Sequence, residues 1–241
     1  IMKRLFRSAA ILAAMATPVA MSAQDDVEAS VGADIVSGYV WRGQDLGSGA
    51  LQPSASVSYK GFSLGAWGSY GIVNSDDTKE LDFTLSYSTG GLTIGVTDYW
   101  FSGVEAKDRY FMYSAHSTAH VFEANLGYDF GVCSVNWYTN FAGSDYKADG
   151  KRAYSSYLEV AAPFKLGGIN WDAAVGIVPF ESSATYLTNP DTPVDGLAVT
   201  NVTLKASKDI KITDSFSLPM FAAVTANPNS GKMYLTAGVS F

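Results

Sequence analysis

The feature that most constrains this chain is an alternation of apolar and polar residues that runs from Val27 to the last residue. In residues 51–59 the odd positions are Leu, Pro, Ala, Val and Tyr, and the even positions are Gln and three Ser. A period of two places the two sets on opposite faces of a β-strand. The pattern predicts about twelve strands, near residues 27–35, 51–59, 62–72, 80–88, 92–99, 118–128, 132–141, 153–164, 169–179, 197–206, 215–226 and 232–241.

The connections between these strands alternate in length. Tight turns are predicted near residues 60, 90, 130 and 166, and longer connections at 43–49, 74–79, 101–117, 142–152 and 180–196. Short turns at one end and long loops at the other are typical of transmembrane barrels. A secreted β-sandwich, the alternative with the same period, has no reason to collect its long loops at one end.

Aromatic residues of the apolar face collect near the strand ends. Amphipathic rings prefer the boundary between membrane and water, so two aromatic girdles are expected of a barrel. The predicted interface residues are Tyr39, Trp41, Tyr59, Phe62, Tyr70, Tyr87, Tyr128, Phe164, Trp171, Phe216 and Phe241. Because every backbone group must be paired in lipid, the sheet must close. The sequence therefore predicts an all-β protein, a closed antiparallel transmembrane β-barrel of about twelve strands.

Composition excludes several other classes of protein. The chain of 241 residues is 47% hydrophobic and 16% charged, and its formal net charge is −7. No apolar run of about 20 residues, as a helical membrane bundle requires, is present. The negative charge argues against a nucleic-acid partner. One Cys and two His leave little for a disulfide framework or a metal site, and no metal site or cofactor is predicted.

Residues 1–23 have the pattern of a secretory signal peptide. Lys3, Arg4 and Arg7 precede an apolar segment at 9–16, and Met21-Ser22-Ala23 offers small residues for cleavage. The alternative, a membrane anchor, needs a longer apolar run. We therefore expect a barrel domain over residues 24–241, exported to the outer membrane of a Gram-negative bacterium and bounded by its lipid.

The polar face is rich in Ser, Thr and Gly, which suits a wet lumen. By alternation its charged residues are predicted to be Arg42, Glu28, Asp34, Asp82, Glu123, Glu159, Asp172, Lys205 and Lys232. Carboxylates outnumber cations in this set, so an open lumen would prefer cations. Arg42 has two interpretations: a selectivity charge at a constriction, or a structural Arg paired with a lumen carboxylate.

The last nine residues, Met233-Tyr234-Leu235-Thr236-Ala237-Gly238-Val239-Ser240-Phe241, resemble the insertion signal of bacterial outer-membrane barrels. Such signals end on Phe with apolar residues at alternate positions before it. The resemblance implies that Met233, Leu235, Ala237, Val239 and Phe241 are recognised by the barrel-assembly machinery.

Residues 31–44, Val-Gly-Ala-Asp-Ile-Val-Ser-Gly-Tyr-Val-Trp-Arg-Gly-Gln, resemble the opening motif of the TorF family of porins, a Ser-Asp-Tyr-x-Phe-Arg-Gly-like run. Tyr39, Arg42 and Gly43 match this motif, whereas Gly38 replaces the acidic residue and Trp41 replaces Phe. A Gly-x-Trp-Gly strand follows in that family, and residues 65–68 match it. The resemblance implies a porin and names no solute.

These observations predict a porin-like channel for passive diffusion of ions or small hydrophilic solutes, with a preference for cations, and no enzymatic activity. A structural or surface-binding barrel without an open pore is the first alternative. A membrane-embedded hydrolase is the second, for which His116 and His120 would be candidate bases. The chain lacks a Gly-x-Ser-x-Gly elbow, and no catalytic residue is assigned.

Overall fold

The computed structural model describes residues 21–23, 27–74, 76–77, 79–102, 109–147, 149–180, 182 and 196–241. Most of the predicted signal peptide, residues 1–20, lies outside the described residues. Residues 21–23 form a short strand that pairs with the first strand of the barrel. None of the described residues belongs to a helix long and apolar enough to cross a membrane.

The described chain consists of strands joined by turns and loops. Their bounds are β1 Met21–Ala23, β2 Val27–Val36, β3 Tyr39–Trp41, β4 Gln44–Gly47, β5 Ala50–Tyr59, β6 Phe62–Gly71, β7 Lys79–Thr89, β8 Leu92–Ser102, β9 His120–Asp129, β10 Ser134–Gly143, β11 Ser156–Leu166, β12 Ile169–Val178, β13 Ala198–Lys211, β14 Ser217–Asn227 and β15 Lys232–Ser240.

Twelve of these strands form one closed wall. From β5 to β15 each strand pairs antiparallel with its sequence neighbour, and β2 pairs with both β5 and β15. Every wall strand therefore has two partners, and the sheet has no free end. The predicted closed antiparallel barrel of twelve strands is confirmed.

The predicted tight turns all lie at one end of the wall, which we call the tight-turn end. The turn at Lys60-Gly61 has two residues with positive φ, 48° and 90°, as do the turns at 90–91 and 167–168. This is the conformation of type I′ turns, whose twist matches that of the flanking strands. The strand predicted at 197–206 is longer in the structure, because β13 continues to Lys211 and leaves only a short turn before β14.

The outer face of the wall is apolar and exposed. Val57, Leu85, Val96, Leu126 and Val224 are among the large hydrophobic side chains that point away from the barrel. A soluble protein rarely exposes so much contiguous apolar surface. A closed barrel with such a belt is the architecture of a membrane-spanning barrel.

Leu85→Arg tests this assignment of the outer face. Leu85 lies near the middle of β7 and is 57% exposed. An Arg at the lipid midplane costs about 2–4 kcal/mol, so we expect the free energy of unfolding in phospholipid vesicles to fall by that amount. Thr84→Arg on the inner face is the matched control and should cost far less. Equal losses from the two variants would contradict the assignment.

Candidate functional site

Residues 37–49, between β2 and β5, fold into the barrel instead of extending from its rim. We call this segment the inward hairpin. Its strands β3 and β4 pair antiparallel with each other. Arg42 and Gly43 form its tip with φ values of 50° and 78°, the same type I′ geometry as the tight turns.

The inward hairpin crosses the lumen. The Tyr39 hydroxyl donates to Oε2 of Glu80 on β7 at 2.9 Å, and its ring centroid lies 5.5 Å from that of Trp67 on β6. At the tip, Nδ2 of Asn227 on β14 donates to the Gly43 carbonyl at 2.9 Å. The hairpin starts at β2 and β5, which lie opposite β10 and β11 in the ring of strands.

Arg42 fastens the tip to the far wall. Its Nη1 donates to Oε2 of Glu123 at 2.6 Å and its Nη2 donates to Oε1 at 2.9 Å. The exposed fractions of the two side chains are 7% and 2%. A bidentate Arg–carboxylate pair is among the strongest hydrogen-bonded arrangements in proteins, and burial removes most of the screening by solvent.

Aromatic rings surround the guanidinium of Arg42. Its Cζ lies 4.0 Å from the ring centroid of Tyr138 on β10, 4.6 Å from Tyr157 on β11 and 4.3 Å from Trp41 of the hairpin. Tyr99 on β8 donates its hydroxyl proton to Oε1 of Glu123 at 3.0 Å. We call the four wall residues Tyr99, Glu123, Tyr138 and Tyr157 the arginine cage.

The base of the inward hairpin is also tied to the wall. Oδ2 of Asp77, in the β6–β7 loop, accepts hydrogen bonds from the Ser48 hydroxyl at 2.5 Å and from the Ser48 backbone N–H at 2.8 Å. These bonds lower the pKa of the Asp77 carboxyl from its usual value, the Ser48 hydroxyl contributing most. The hairpin is thus held at its base, along one flank and at its tip.

The prediction that Tyr39 and Trp41 lie at the membrane interface was wrong. Tyr39 and Trp41 face the interior of the barrel as part of the inward hairpin, and Trp41 also packs on Tyr99 with ring centroids 5.8 Å apart. The alternation continues from β2 into β3, which made residues 39–41 look like the end of a wall strand. The predicted long loop at 43–49 is likewise mostly strand β4.

The other predicted interface aromatics lie on the outer face or at its edges. Phe62 and Tyr87 pack together near the tight-turn end, and Phe164 stacks on Trp171 in the same zone. Tyr59, Tyr70, Tyr128, Phe216 and Phe241 are exposed. On β15 the predicted insertion residues follow the same face, and Met233 and Leu235 are 71% and 76% exposed.

The remaining predicted lumen charges are spread along the inner face. Asp34 and Asp82 are buried, and Glu159 accepts a hydrogen bond from the Tyr157 hydroxyl at 3.0 Å. Lys205 lies opposite Asp172 in register, and its Nζ is 4.4 Å from the ring centroid of Phe221. Glu28 and Lys232, at the two ends of the lumen, are exposed.

The sequence interpretation missed four residues of the site: Glu80, Tyr99, Tyr138 and Tyr157. All four lie on inner-face positions of their strands. Alternation places all four inside the barrel, but it does not distinguish them from the other polar residues of the inner face. For Tyr99, Tyr138 and Tyr157, the usable signal was a large aromatic residue at a polar-face position of a strand.

The described part of the long loop before β9, residues 109–117, packs against the outside of the wall. The Tyr110 ring contacts Phe83, Trp100 and His120 there. Nδ1 of His120 is bonded to Asp98 at 2.7 Å and Nε2 to the Tyr110 carbonyl at 2.5 Å. Both nitrogens face acceptors, so the His120 ring is held between the wall and the loop. His116 stacks on Tyr146.

Among the described residues no group of three or more His, Cys, Asp or Glu side chains is arranged to hold a metal ion. The candidate site consists of two parts. The inward hairpin crosses the lumen, and the arginine cage on the opposite wall holds Arg42 at the hairpin tip.

Comparison with solved structures finds similar chains at low identity. One structure, from work on the mechanism of in-meso crystallization of membrane proteins, has a TM-score of 0.49 and 10% identity and covers 90% of this chain and 82% of that chain. A porin refined at 1.8 Å resolution has a TM-score of 0.39 and 18% identity, with coverage of 89% and 76%.

No curated protein sequence gives a significant match. A family model, Gcw_chp, matches residues 20–195. That range is more than two thirds of the chain and includes the inward hairpin, the arginine cage and the strands from β2 to β12. The chain therefore belongs to the Gcw_chp family of bacterial proteins of unknown function.

Proposed function

We propose that the protein is a porin-like channel of the bacterial outer membrane whose passage is closed by the inward hairpin and opens when Arg42 leaves Glu123. The observation that carries this proposal is the hairpin lying across the lumen, with a buried bidentate ion pair at its tip. Because an ion pair depends on both charges, a hairpin held in this way can act as a gate.

The lumen between the hairpin and the tight-turn end favours small hydrophilic solutes. Its wall carries hydroxyl pairs that bond across strands: Ser30 with Ser56 at 2.7 Å, Thr84 with Thr97 at 2.9 Å and Ser88 with Thr93 at 2.8 Å. The inner face also carries more carboxylates than cations. Fixed negative charge along a narrow passage attracts cations and repels anions, so the open channel should prefer cations.

The TorF resemblance supports the same proposal. The matching residues Tyr39, Arg42 and Gly43 each make a contact that seats the inward hairpin. In this proposal the long-loop end faces the outside of the cell, and the barrel-assembly machinery recognises the last strand. The protein has no enzymatic activity.

Single-channel recording of the wild type and Arg42→Ala in planar bilayers tests the proposal. We expect the wild type to be mostly closed, and Arg42→Ala to raise the mean conductance at least tenfold with a cation-selective reversal potential in a KCl gradient. Lys232→Ala is the matched control, since it removes one positive charge from the rim and leaves the hairpin in place; it should behave as the wild type.

The second candidate function is a barrel without a pore that acts through its loops. It is favoured by the number of contacts that hold the inward hairpin, at base, flank and tip. If correctly inserted Arg42→Ala is as silent as the wild type, the channel proposal is wrong and this second function takes its place.

A further inference from the structure

The arginine cage on the barrel wall holds the guanidinium group of the protein's own Arg42. We propose that the arginine cage binds small solutes that carry a guanidinium group, and that such solutes compete with Arg42 for it. This inference rests on the proposed function, because the hairpin tip must leave the cage before a solute can enter.

The chemistry of the cage matches a planar cation more closely than a point charge. Both carboxylate oxygens of Glu123 accept from one guanidinium, at 2.6 and 2.9 Å, which is a fork that an ammonium group cannot fill in the same way. Tyr138 and Tyr157 present their rings at 4.0 and 4.6 Å from the guanidinium carbon. Aromatic faces around a cation are the usual means by which proteins recognise organic cations.

Contacts within the wall position the cage residues without the Arg42 side chain. Tyr99 fixes one oxygen of Glu123, and the Tyr157 hydroxyl donates to Glu159 on its own strand at 3.0 Å. Tyr157 also packs on Gly176 of β12, where a Cβ would lie 1.8 Å from the Tyr157 hydroxyl oxygen. The site should therefore keep its shape when Arg42 is removed.

The charge of the cage selects against neutral solutes. Glu123 is 2% exposed and Tyr157 is fully buried, so a neutral isostere would leave a desolvated carboxylate without a counter-charge. Leaving a buried charge unpaired is strongly unfavourable. We expect methylguanidinium to bind and methylurea, which has nearly the same shape and no charge, to be rejected.

The test uses the full-length protein refolded in detergent, with Arg42→Ala to vacate the cage. Methylguanidinium is titrated by calorimetry, and saturable binding with one site per barrel is expected. Wild-type protein should bind at least tenfold more weakly, because Arg42 fills the site. Folding of each variant is checked by its shift in gel migration on boiling, and Arg42→Met, which retains part of the aliphatic stem, serves where Arg42→Ala does not fold.

The double variant Arg42→Ala/Glu123→Gln is the specificity control. It retains the rings but lacks the carboxylate, so its affinity for methylguanidinium should fall at least tenfold below that of Arg42→Ala. The inference is overturned if the two variants bind equally, if methylurea binds as tightly as methylguanidinium, or if folded Arg42→Ala does not bind. Calorimetry does not depend on ion current. A protein that conducts no current but binds methylguanidinium would contradict the proposed gated channel and still support guanidinium binding by the arginine cage.

Discussion

Glu123→Ala is expected to lower the free energy of unfolding by about 3–5 kcal/mol, the cost of removing one partner from a buried ion pair. The Arg42 side chain is only 7% exposed, so water cannot replace both of the carboxylate oxygens that its guanidinium group loses. Equilibrium unfolding by urea in lipid vesicles, followed by Trp fluorescence, measures the loss.

Two controls separate the loss of the pair from a general loss of charge. Glu28→Ala removes an exposed carboxylate from the same inner face and should change the free energy of unfolding by less than about 0.5 kcal/mol. The double variant Arg42→Met/Glu123→Leu should recover most of the stability, because an apolar pair leaves no charge buried alone. A loss below about 1 kcal/mol for Glu123→Ala would mean that the pair does not hold the tip.

Gly43→Ala is expected to force the tip of the inward hairpin away from the wall. A Cβ on Gly43 would lie 1.8 Å from the backbone carbonyl oxygen of Thr200, and the wall strand β13 cannot move aside. The residue also has a φ of 78°, which an L-residue adopts only with strain. The released tip should be cut by trypsin after Arg42, which is protected in the wild type by burial.

Gly131→Ala is the matched control for Gly43→Ala. Gly131 has a φ of 84° in the β9–β10 turn, and no atom lies within 4 Å of its would-be Cβ. It shares the backbone strain and lacks the clash, so trypsin should leave its hairpin intact. Equal protection of Arg42 in both variants would show that the tip tolerates a side chain and that the clash is relieved without opening.

The wall of the barrel could be predicted from the sequence because its determinants are local. Alternation marks the two faces of each strand, and paired turn residues such as Lys60 and Gly61 mark where a strand reverses. The structure confirms the closed barrel on this basis. Only the length of β13 and the ends of some strands differ, because alternation weakens where strands pass beyond the apolar belt.

The inward hairpin could not be predicted because its determinants are not local. Tyr39 and Trp41 alternate with their neighbours as wall residues do, and nothing adjacent to them indicates that they turn into the lumen. Arg42 and Glu123 were both placed on the inner face, but they are 81 residues apart in the chain. Alternation says which face a residue occupies and not which residue it meets across the barrel.

The pairing of β2 with β15 has a consequence for how the protein folds. Every other pair in the wall joins strands that are neighbours in sequence or are separated only by the inward hairpin. The β2–β15 seam instead joins Asp34–Val36 to Gly238–Ser240. The adjacent contact between Ser37 and Ala237 spans 200 residues of the chain. The chain can therefore form a ribbon of local hairpins first, and a single long-range event closes it at the entropic cost of a very large loop. Until that event both end strands present open edges, which are sites for intermolecular pairing. The shortest seam in the wall therefore determines whether a newly made chain closes into a barrel or aggregates.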